Sequence, residues 1–177
     1  EATLDSALER RVDYADVYFE YTTQDSVSLE EGIVKEGSRH LDQGVGVRAQ
    51  TGERQGYAHS DEISIDSAKL AAATARTISD QGGDTDRVAV RSRPGRHDLY
   101  PVKNSPTDIP VETKVALLDE IDRYARALDP CVRQVMASVI TQHRSVMVAS
   151  SDGTLAADEQ PLVRLNVQVI AADGDKR

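Results

Sequence analysis

The feature that most constrains the fold is a pattern of alternating apolar and polar residues that occurs twice, about 120 residues apart. In each half of the chain, a helical segment is followed by stretches whose side chains alternate with a period of two, which is typical of half-buried strands. Gln24 is matched by Gln142, and Gly32 is matched by Gly153. The matched alternating positions are Val17, Phe19 and Tyr21 with Val135, Ala137 and Val139, and Val45, Val47 and Ala49 with Leu165, Val167 and Val169.

This repeat predicts an α+β fold of two similar helix-plus-antiparallel-meander units that arose by tandem duplication. Residue identity between the halves is low, so a chance match of patterns is the alternative. Each unit is predicted as a helix followed by four strands. In the first unit, Asp25 is predicted to connect two strands tightly, and Gly32 and Gly37 are predicted to bracket a short strand. Thr51-Gly52 predicts a hairpin turn into a strand over 54–59.

Apolar residues at helical spacing predict three helices, of which the first covers residues 2–13. The second begins after Ser64 as N-cap, and the third runs from about Pro110 to Leu128. The apolar stripe of the second helix is predicted to contain Ile65, Ala68, Ala72, Ala75 and Ile78. Residues 81–108 are predicted as a connecting strap, with a substrate-binding loop as the alternative. The predicted domains are therefore 1–80, 81–108 and 109–177.

The second unit is expected to be incomplete at its C-terminus. Residues 173–176 match the turn at 51–54, but the strand that follows this turn in the first unit has no counterpart before Arg177. An unpaired strand edge invites pairing with another segment. We therefore expect the whole protein to continue with residues that close this sheet, and the helical character of Glu1 to Leu4 suggests trimming at the N-terminus as well.

Composition excludes several classes of function. The net charge is −9, which repels phosphate backbones and argues against direct binding of nucleic acid. There is no apolar run of about 18 residues that would span a membrane, and no signal peptide opens the chain. The single cysteine, Cys131, cannot form an internal disulfide, so a reducing cytoplasm is expected.

No catalytic, cofactor-binding or metal-binding residue can be assigned from the chain's own motifs. No two of the four histidines (His40, His59, His97 and His143) lie within four residues of each other, so a helical zinc pair is absent. His40 and His59 are predicted as surface residues, and Cys131 as buried and unreactive. Gly44-Val45-Gly46 lacks the third glycine of a dinucleotide site, and Asp152-Gly153 with Asp158 and Glu159 is predicted as a turn without calcium.

Several long stretches resemble the N-terminal domain of the TldD family. They are Tyr14-Ala15-Asp16-Val17-Tyr18-Phe19, residues 42–49 (DQGVGVRA), residues 52–58 (GERQGYA), residues 151–158 (SDGTLAAD) and residues 161–165 (PLVRL). The order and spacing of these stretches hold over essentially the whole chain. The sister family TldE, also called PmbA, shares the architecture but generally lacks a DQGVGVRA-like motif, so the TldD branch is favoured.

The resemblance implies a subunit of a cytoplasmic zinc metallopeptidase that acts on small or unfolded peptides. It also implies a TldE/PmbA-type partner subunit or a homo-oligomer, and an older family label is modulator of DNA gyrase. In the family, zinc is held by a helical HExxxH motif and a distant cysteine in the C-terminal half, and no position of this sequence matches them. This chain is therefore expected to be a non-catalytic N-terminal scaffold of the peptide channel and of partner contacts. A non-enzymatic regulatory module, acting on gyrase or on a toxin–antitoxin pair, is the alternative.

Overall fold

The computed structural model describes residues 1–9, 12–79 and 103–172 and has the α+β fold that the sequence predicts. Its nine elements follow the chain in this order: α1 (Ala2–Leu8), β1 (Tyr14–Glu30), β2 (Ile33–Thr51), β3 (Arg54–Ser60), α2 (Ile65–Ser79), a 3₁₀ turn (Pro106–Asp108), α3 (Val111–Leu128), β4 (Val132–Ser150) and β5 (Leu155–Ala171). A helix followed by a long antiparallel hairpin thus occurs twice among the described residues, as α1–β1–β2 and as α3–β4–β5.

The strands form one five-stranded sheet in the order β3-β2-β1-β4-β5, which makes β3 and β5 its edges. The long hairpins turn at Gly32 and Gly153, the two glycines that the repeat aligns, and both have a positive φ, 72° and 91°. Most other residues adopt that conformation only at a steric cost, so glycine is favoured at both turns. The predicted hairpin at Thr51-Gly52 is confirmed, because Thr51 pairs with Arg54 and Val45 pairs with Ser60.

The chain divides into two compact units. The first takes in the described residues of 1–22, 42–101 and 144–159, and the second those of 23–41, 102–143 and 160–177. The division into 1–80, 81–108 and 109–177 stays a prediction. Residues 10–11, 80–102 and 173–177 lie outside the described part, and with them most of the strap, His97 and the second predicted hairpin turn.

The first unit packs α2 tightly against the sheet through alanine. Its core contains Leu4, Ala7, Val12, Ala15, Val17, Val45, Val47, Ala49, Ala68, Ala71, Ala72 and Ala75. A Cβ built on Gly56 of β3 would lie 1.9 Å from the carbonyl oxygen of Ala75, so only glycine lets the helix backbone come this close. Ser64 is the N-cap that the sequence predicts, since its Oγ accepts from the Ser67 N–H at 3.1 Å.

The predicted apolar stripe of α2 is wrong at both ends. Ile65 and Ile78 are 67% and 56% exposed, whereas Ala68, Ala72 and Ala75 are buried. The two isoleucines lie on the first and last turns of α2, at the margins of the face that Ala68, Ala72 and Ala75 bury. The predicted first helix is also too long, because α1 ends at Leu8 and Val12 is buried outside it.

In the second unit, α3 covers the strands β1 and β4. Val27, Leu29, Ala137 and Val139 are buried under Leu118, with Val115 and Ile121 packed around them. The helix begins after Pro110 and ends at Leu128, so its predicted bounds are confirmed. A proline before the first turn costs no helical hydrogen bond, which explains its place here.

The predicted strand breaks at Asp25 and Gly37 are wrong. Asp25 lies inside β1, which continues to Glu30, and Gly37 lies inside β2. The chain reverses instead at Glu31 and Gly32, which have φ values of 54° and 72°, as a two-residue hairpin turn requires. The residues predicted as short strands on either side of Asp25 and of Gly37 therefore belong to the long strands β1 and β2, and three strands follow the first helix rather than the predicted four.

Candidate functional site

Lys114, the most deeply buried charged residue described in the second unit, lies where α3 begins. Lys114 is 5% exposed, and its Nζ donates to Asp25 Oδ2 at 3.0 Å and to Thr141 Oγ1 at 2.9 Å. An open cavity of about 650 Å³ is bordered by these two charged residues and by Arg39, Ile109 and Pro110. The pair neutralises two charges that would be costly to bury singly. We interpret it as the element that fixes α3 on β1 and β4.

The second oxygen of Asp25 is less well satisfied. Oδ1 makes no hydrogen bond within the described residues, and the Nε of the Arg39 guanidinium lies 3.6 Å from it. That guanidinium is 65% exposed, so its attraction for Asp25 is weakened by water. Two cations already surround this carboxylate, and it therefore does not offer a site for a third.

A groove of about 450 Å³ lies on the face of the second unit's sheet that α3 does not cover. Ser28 of β1, Ser138 of β4 and Asn166 of β5 lie side by side across neighbouring strands, and the Asn166 amide donates to Ser138 Oγ at 3.4 Å. Glu30, Met136 and Gln168 form the next row. Amide and hydroxyl side chains both donate and accept hydrogen bonds, so this face can contact peptide groups without selecting one side chain.

In the first unit, Arg144 links a polar cluster on the uncovered face. Its Nη2 donates to Tyr18 Oη at 2.8 Å and to Glu20 Oε2 at 2.7 Å, and the tyrosine hydroxyl also donates to Glu20 at 2.7 Å. The hydrogen bond from Arg144 holds the pKa of Glu20 below its ordinary value. Burial raises the pKa of Tyr18. The hydrogen bond to Glu20 raises the pKa of Arg144.

One glycine of the DQGVGVRA stretch, Gly46, makes room for an aromatic ring. A Cβ on Gly46 would lie 2.6 Å from Tyr57 Oη, so the tyrosine lies directly over this glycine. Tyr57 stacks on His59 with ring centroids 6.0 Å apart, and both border a cavity of about 220 Å³. Gly44-Val45-Gly46 lies within β2 and not before a helix, so the structure gives it a packing role rather than a phosphate-binding one.

The remaining candidate residues from the sequence are not brought together. His40 and His59 are exposed, as predicted, and His143 is half-buried. Cys131 is half-buried rather than buried, because it lies in the turn between α3 and β4. A hydrogen bond to the Asp129 carboxylate raises the pKa of its thiol. Asp152 caps the β4–β5 turn, where Oδ1 accepts from the Thr154 N–H at 2.9 Å.

Across residues 1–9, 12–79 and 103–172, no three His, Cys, Asp or Glu side chains come together in a way that could hold a metal ion. These residues therefore do not fit the metal that the sequence resemblance implies. Within the same ranges, no helix is both long and apolar enough to cross a membrane.

Comparison with known proteins identifies both parts of the chain. Residues 15–79 match the PmbA/TldA metallopeptidase domain 1, and residues 104–177 match the PmbA/TldA metallopeptidase central domain. A metalloprotease TldD homologue of Haemophilus influenzae is 39% identical over 95% of this chain and 35% of its own length. Another, from Buchnera aphidicola of Schizaphis graminum, is 36% identical over 98% of this chain and 36% of its length.

Solved structures share the fold at low sequence identity. TldE from Thermococcus kodakarensis matches with a TM-score of 0.71 and 17% identity, over 97% of this chain and 39% of that one. A candidate modulator of DNA gyrase from Bacteroides thetaiotaomicron matches with a TM-score of 0.70 and 11% identity, over 99% of this chain and 41% of that one. The chain spans about a third of the length of the curated relatives it matches. It belongs to the PmbA/TldD metallopeptidase family, of which it contains the first domain and central-domain sequence.

Proposed function

We propose that this chain is the non-catalytic N-terminal part of a TldD-like zinc metallopeptidase subunit. It scaffolds the channel through which small or unfolded peptides reach the metal, and it contributes contacts to a TldE/PmbA-type partner subunit or to a second copy. The zinc is held by residues outside the described part, and the whole protein acts in the cytoplasm. The names of the curated relatives support the peptidase class, and the name of the TldE neighbour supports the partner.

The observation that carries the proposal is the groove on the uncovered face of the second unit. Its rows of serine, asparagine and glutamine side chains cross three strands, and apart from Glu30 and Lys35 its lining residues are uncharged. A protease of low sequence specificity needs contacts to the peptide backbone more than pockets for particular side chains. Neutral groups that donate and accept hydrogen bonds provide such contacts at little cost in desolvation.

The test is peptide hydrolysis by the whole protein with the groove blocked. Ser138→Arg places a long cation in the middle of the groove and removes the hydrogen bond from Asn166. We expect KM for an unstructured peptide to rise about tenfold, equivalent to about 1.4 kcal/mol, while kcat and bound zinc stay unchanged. Thr74→Arg is the matched control, because Thr74 is an exposed residue of α2 far along the chain from the groove. Equal KM values for the two variants would mean that the peptide does not contact the groove.

The regulatory alternative has one observation in its favour, which is that the solved neighbour from Bacteroides thetaiotaomicron is described as a candidate modulator of DNA gyrase. The same assay separates the two functions. If the purified whole protein contains no stoichiometric zinc and does not cleave unstructured peptides, the binding role replaces the peptidase role. We expect the 177-residue chain alone to bind no zinc and to cleave no peptide.

A further inference from the structure

The cavity of about 650 Å³ at the start of α3 contains a hydrogen-bond acceptor that the described residues leave unused. Asp25 is 9% exposed, and its Oδ2 accepts from Lys114 at 3.0 Å. Its other oxygen, Oδ1, has no hydrogen-bond donor among the described residues. A carboxylate oxygen removed from water normally has a donor, because leaving it without one costs free energy. A ligand that brings an N–H group to Oδ1 would remove this cost.

The Arg39 guanidinium borders the same cavity and lies beside this oxygen. Its Nε is 3.6 Å from Asp25 Oδ1, which is beyond hydrogen-bond distance, and its side chain is 65% exposed. Such a solvated contact contributes little, so the guanidinium can turn towards a better partner at small cost. Because Oδ1 has almost no surface open to water, a turn of Arg39 is also what would open it to a ligand. Lys114 keeps Asp25 neutralised, and Arg39 can then bind a carboxylate with two N–H groups.

The first turn of α3 adds backbone donors and apolar surface to the cavity. Pro110 provides no side-chain cap, and the N–H groups of Val111 and Glu112 have no acceptor within the helix, so this end favours a negative charge. Ile109 and Val111 border the cavity and are 40% and 52% exposed, so an apolar side chain can pack on them. Asp108 also borders the cavity, but it is exposed, and water screens its charge.

These groups together define the chemistry of the ligand. An ammonium group is disfavoured, because Lys114 and Arg39 already surround the Asp25 carboxylate. A simple carboxylate could bind Arg39 but would leave Oδ1 without a donor. The carboxyl-terminal residue of a peptide has both groups, an amide N–H and a carboxylate, on one carbon. Its nitrogen and nearest carboxylate oxygen are about 3 Å apart, so a single residue can reach both Asp25 and Arg39.

We propose that this cavity binds the carboxyl-terminal residue of a short peptide. The peptide's carboxylate binds the Arg39 guanidinium and the N–H groups at the start of α3, its last amide N–H donates to Asp25 Oδ1, and an apolar side chain contacts Ile109 and Val111. All the residues that border the cavity belong to the second unit. The groove of the proposed function lies on the face that α3 does not cover, so this is a second peptide site and goes beyond that function.

Titration of the whole protein with N-acetyl-leucine, followed by broadening of the ligand's NMR signals, tests the proposal. We expect saturable binding with a Kd of about 1 mM, as is usual for so small a ligand. N-acetyl-leucinamide lacks the carboxylate and N-acetyl-N-methyl-leucine lacks the N–H, so each should bind at least about tenfold more weakly. Equal affinities for the three probes, or no saturation by N-acetyl-leucine up to about 20 mM, would overturn the proposal.

Two arginine variants locate the binding. Arg39→Gln should weaken binding of N-acetyl-leucine at least about tenfold, and its exposed side chain makes misfolding an improbable cause, which an unchanged unfolding midpoint would check. Arg123→Gln is the matched control, because Arg123 is an exposed residue of α3 and the change of charge is the same. Binding that Arg39→Gln leaves unchanged would lie elsewhere in the whole protein and would overturn the proposal. None of these measurements needs peptide hydrolysis, so failure of the proposed function would leave this site unaffected.

Discussion

Removing the Lys114 ammonium should destabilise the chain strongly, because it leaves a buried carboxylate without its partner. The substitution Lys114→Met keeps the length of the side chain and leaves the Asp25 carboxylate, 9% exposed, without its buried partner. An uncompensated charge in such a place costs about 3–5 kcal/mol. Arg39 cannot replace the lysine, because its Nε is 3.6 Å away and its guanidinium is 65% exposed. An exposed ion pair of this kind contributes at most about 1 kcal/mol.

Two control variants separate the charge from the hydrogen bond and from the packing. Thr141→Val removes only the 2.9 Å hydrogen bond from Lys114 and should cost about 1 kcal/mol. The double variant Lys114→Met, Asp25→Leu removes both charges. Apolar replacement of a whole buried pair is often neutral or stabilising, so we expect the double variant to recover most of the loss. The loss of unfolding free energy in the double variant, compared with the summed losses of Lys114→Met and Asp25→Leu alone, measures the coupling of the pair.

The assay is urea unfolding of the 177-residue chain followed by circular dichroism, with amide exchange of α3 as a local readout of the second unit. A loss of 3 kcal/mol should lower the urea midpoint by at least about 1 M. A loss below about 1 kcal/mol in Lys114→Met would refute the reasoning, since it would mean that the carboxylate is hydrated well enough to do without the lysine. A double variant no more stable than Lys114→Met would refute the role of charge and leave only lost packing.

Three further outcomes follow from local geometry. Gly56→Ala should lower the free energy of unfolding by about 1–3 kcal/mol, because its Cβ would meet a carbonyl of α2 at 1.9 Å. Gly37→Ala is the control and should be tolerated, since a Cβ there would have nothing within 4 Å. Equal urea midpoints for the two variants would contradict this prediction. A hydrogen bond from Arg144 lowers the pKa of Glu20 in the folded state. Glu20 should therefore contribute stability above its unfolded pKa, and this stability is lost as the pH falls through the folded pKa. In pH-dependent unfolding, Glu20→Gln should flatten this loss of stability at acid pH. Asp129→Asn should lower the pH at which Cys131 reacts half-maximally with iodoacetamide, since the carboxylate raises the thiol pKa; an unchanged profile would exclude that cause.

Features that depend on neighbouring residues in the chain could be predicted from the sequence. Ser64 is an N-cap because its hydroxyl meets the N–H three residues on, and Pro110 precedes the first turn of α3 because it has no N–H to lose there. Gly32 and Gly153 occupy the turns of the two long hairpins because both adopt a positive φ. Each of these positions is decided by backbone geometry within a few residues, which a sequence pattern represents directly.

Features that depend on distant residues could not be predicted. The sequence predicts a turn at Asp25 because aspartate favours turns, but Lys114 lies 89 positions away and stabilises the carboxylate inside a strand. The cluster of Glu20 with Arg144 joins residues 124 positions apart and has no local signal. The overlap between Tyr57 and Gly46 depends on the β2–β3 register and was likewise missed.

The register of the strands, more than their residue types, connects these results. In β1, Asp25 occupies the same odd-numbered face as Val27 and Leu29, so alternation alone places its charge among buried side chains and requires a partner there. Lys114 lies four residues before Leu118 on the buried face of α3, and it is that partner. In β5, the same alternation puts apolar side chains on the core face, where the described residues provide no cover. A buried charge without a partner is unstable, so its partner is found within this chain, whereas the apolar row of Leu165, Val167 and Val169 stays 44–48% exposed among the described residues.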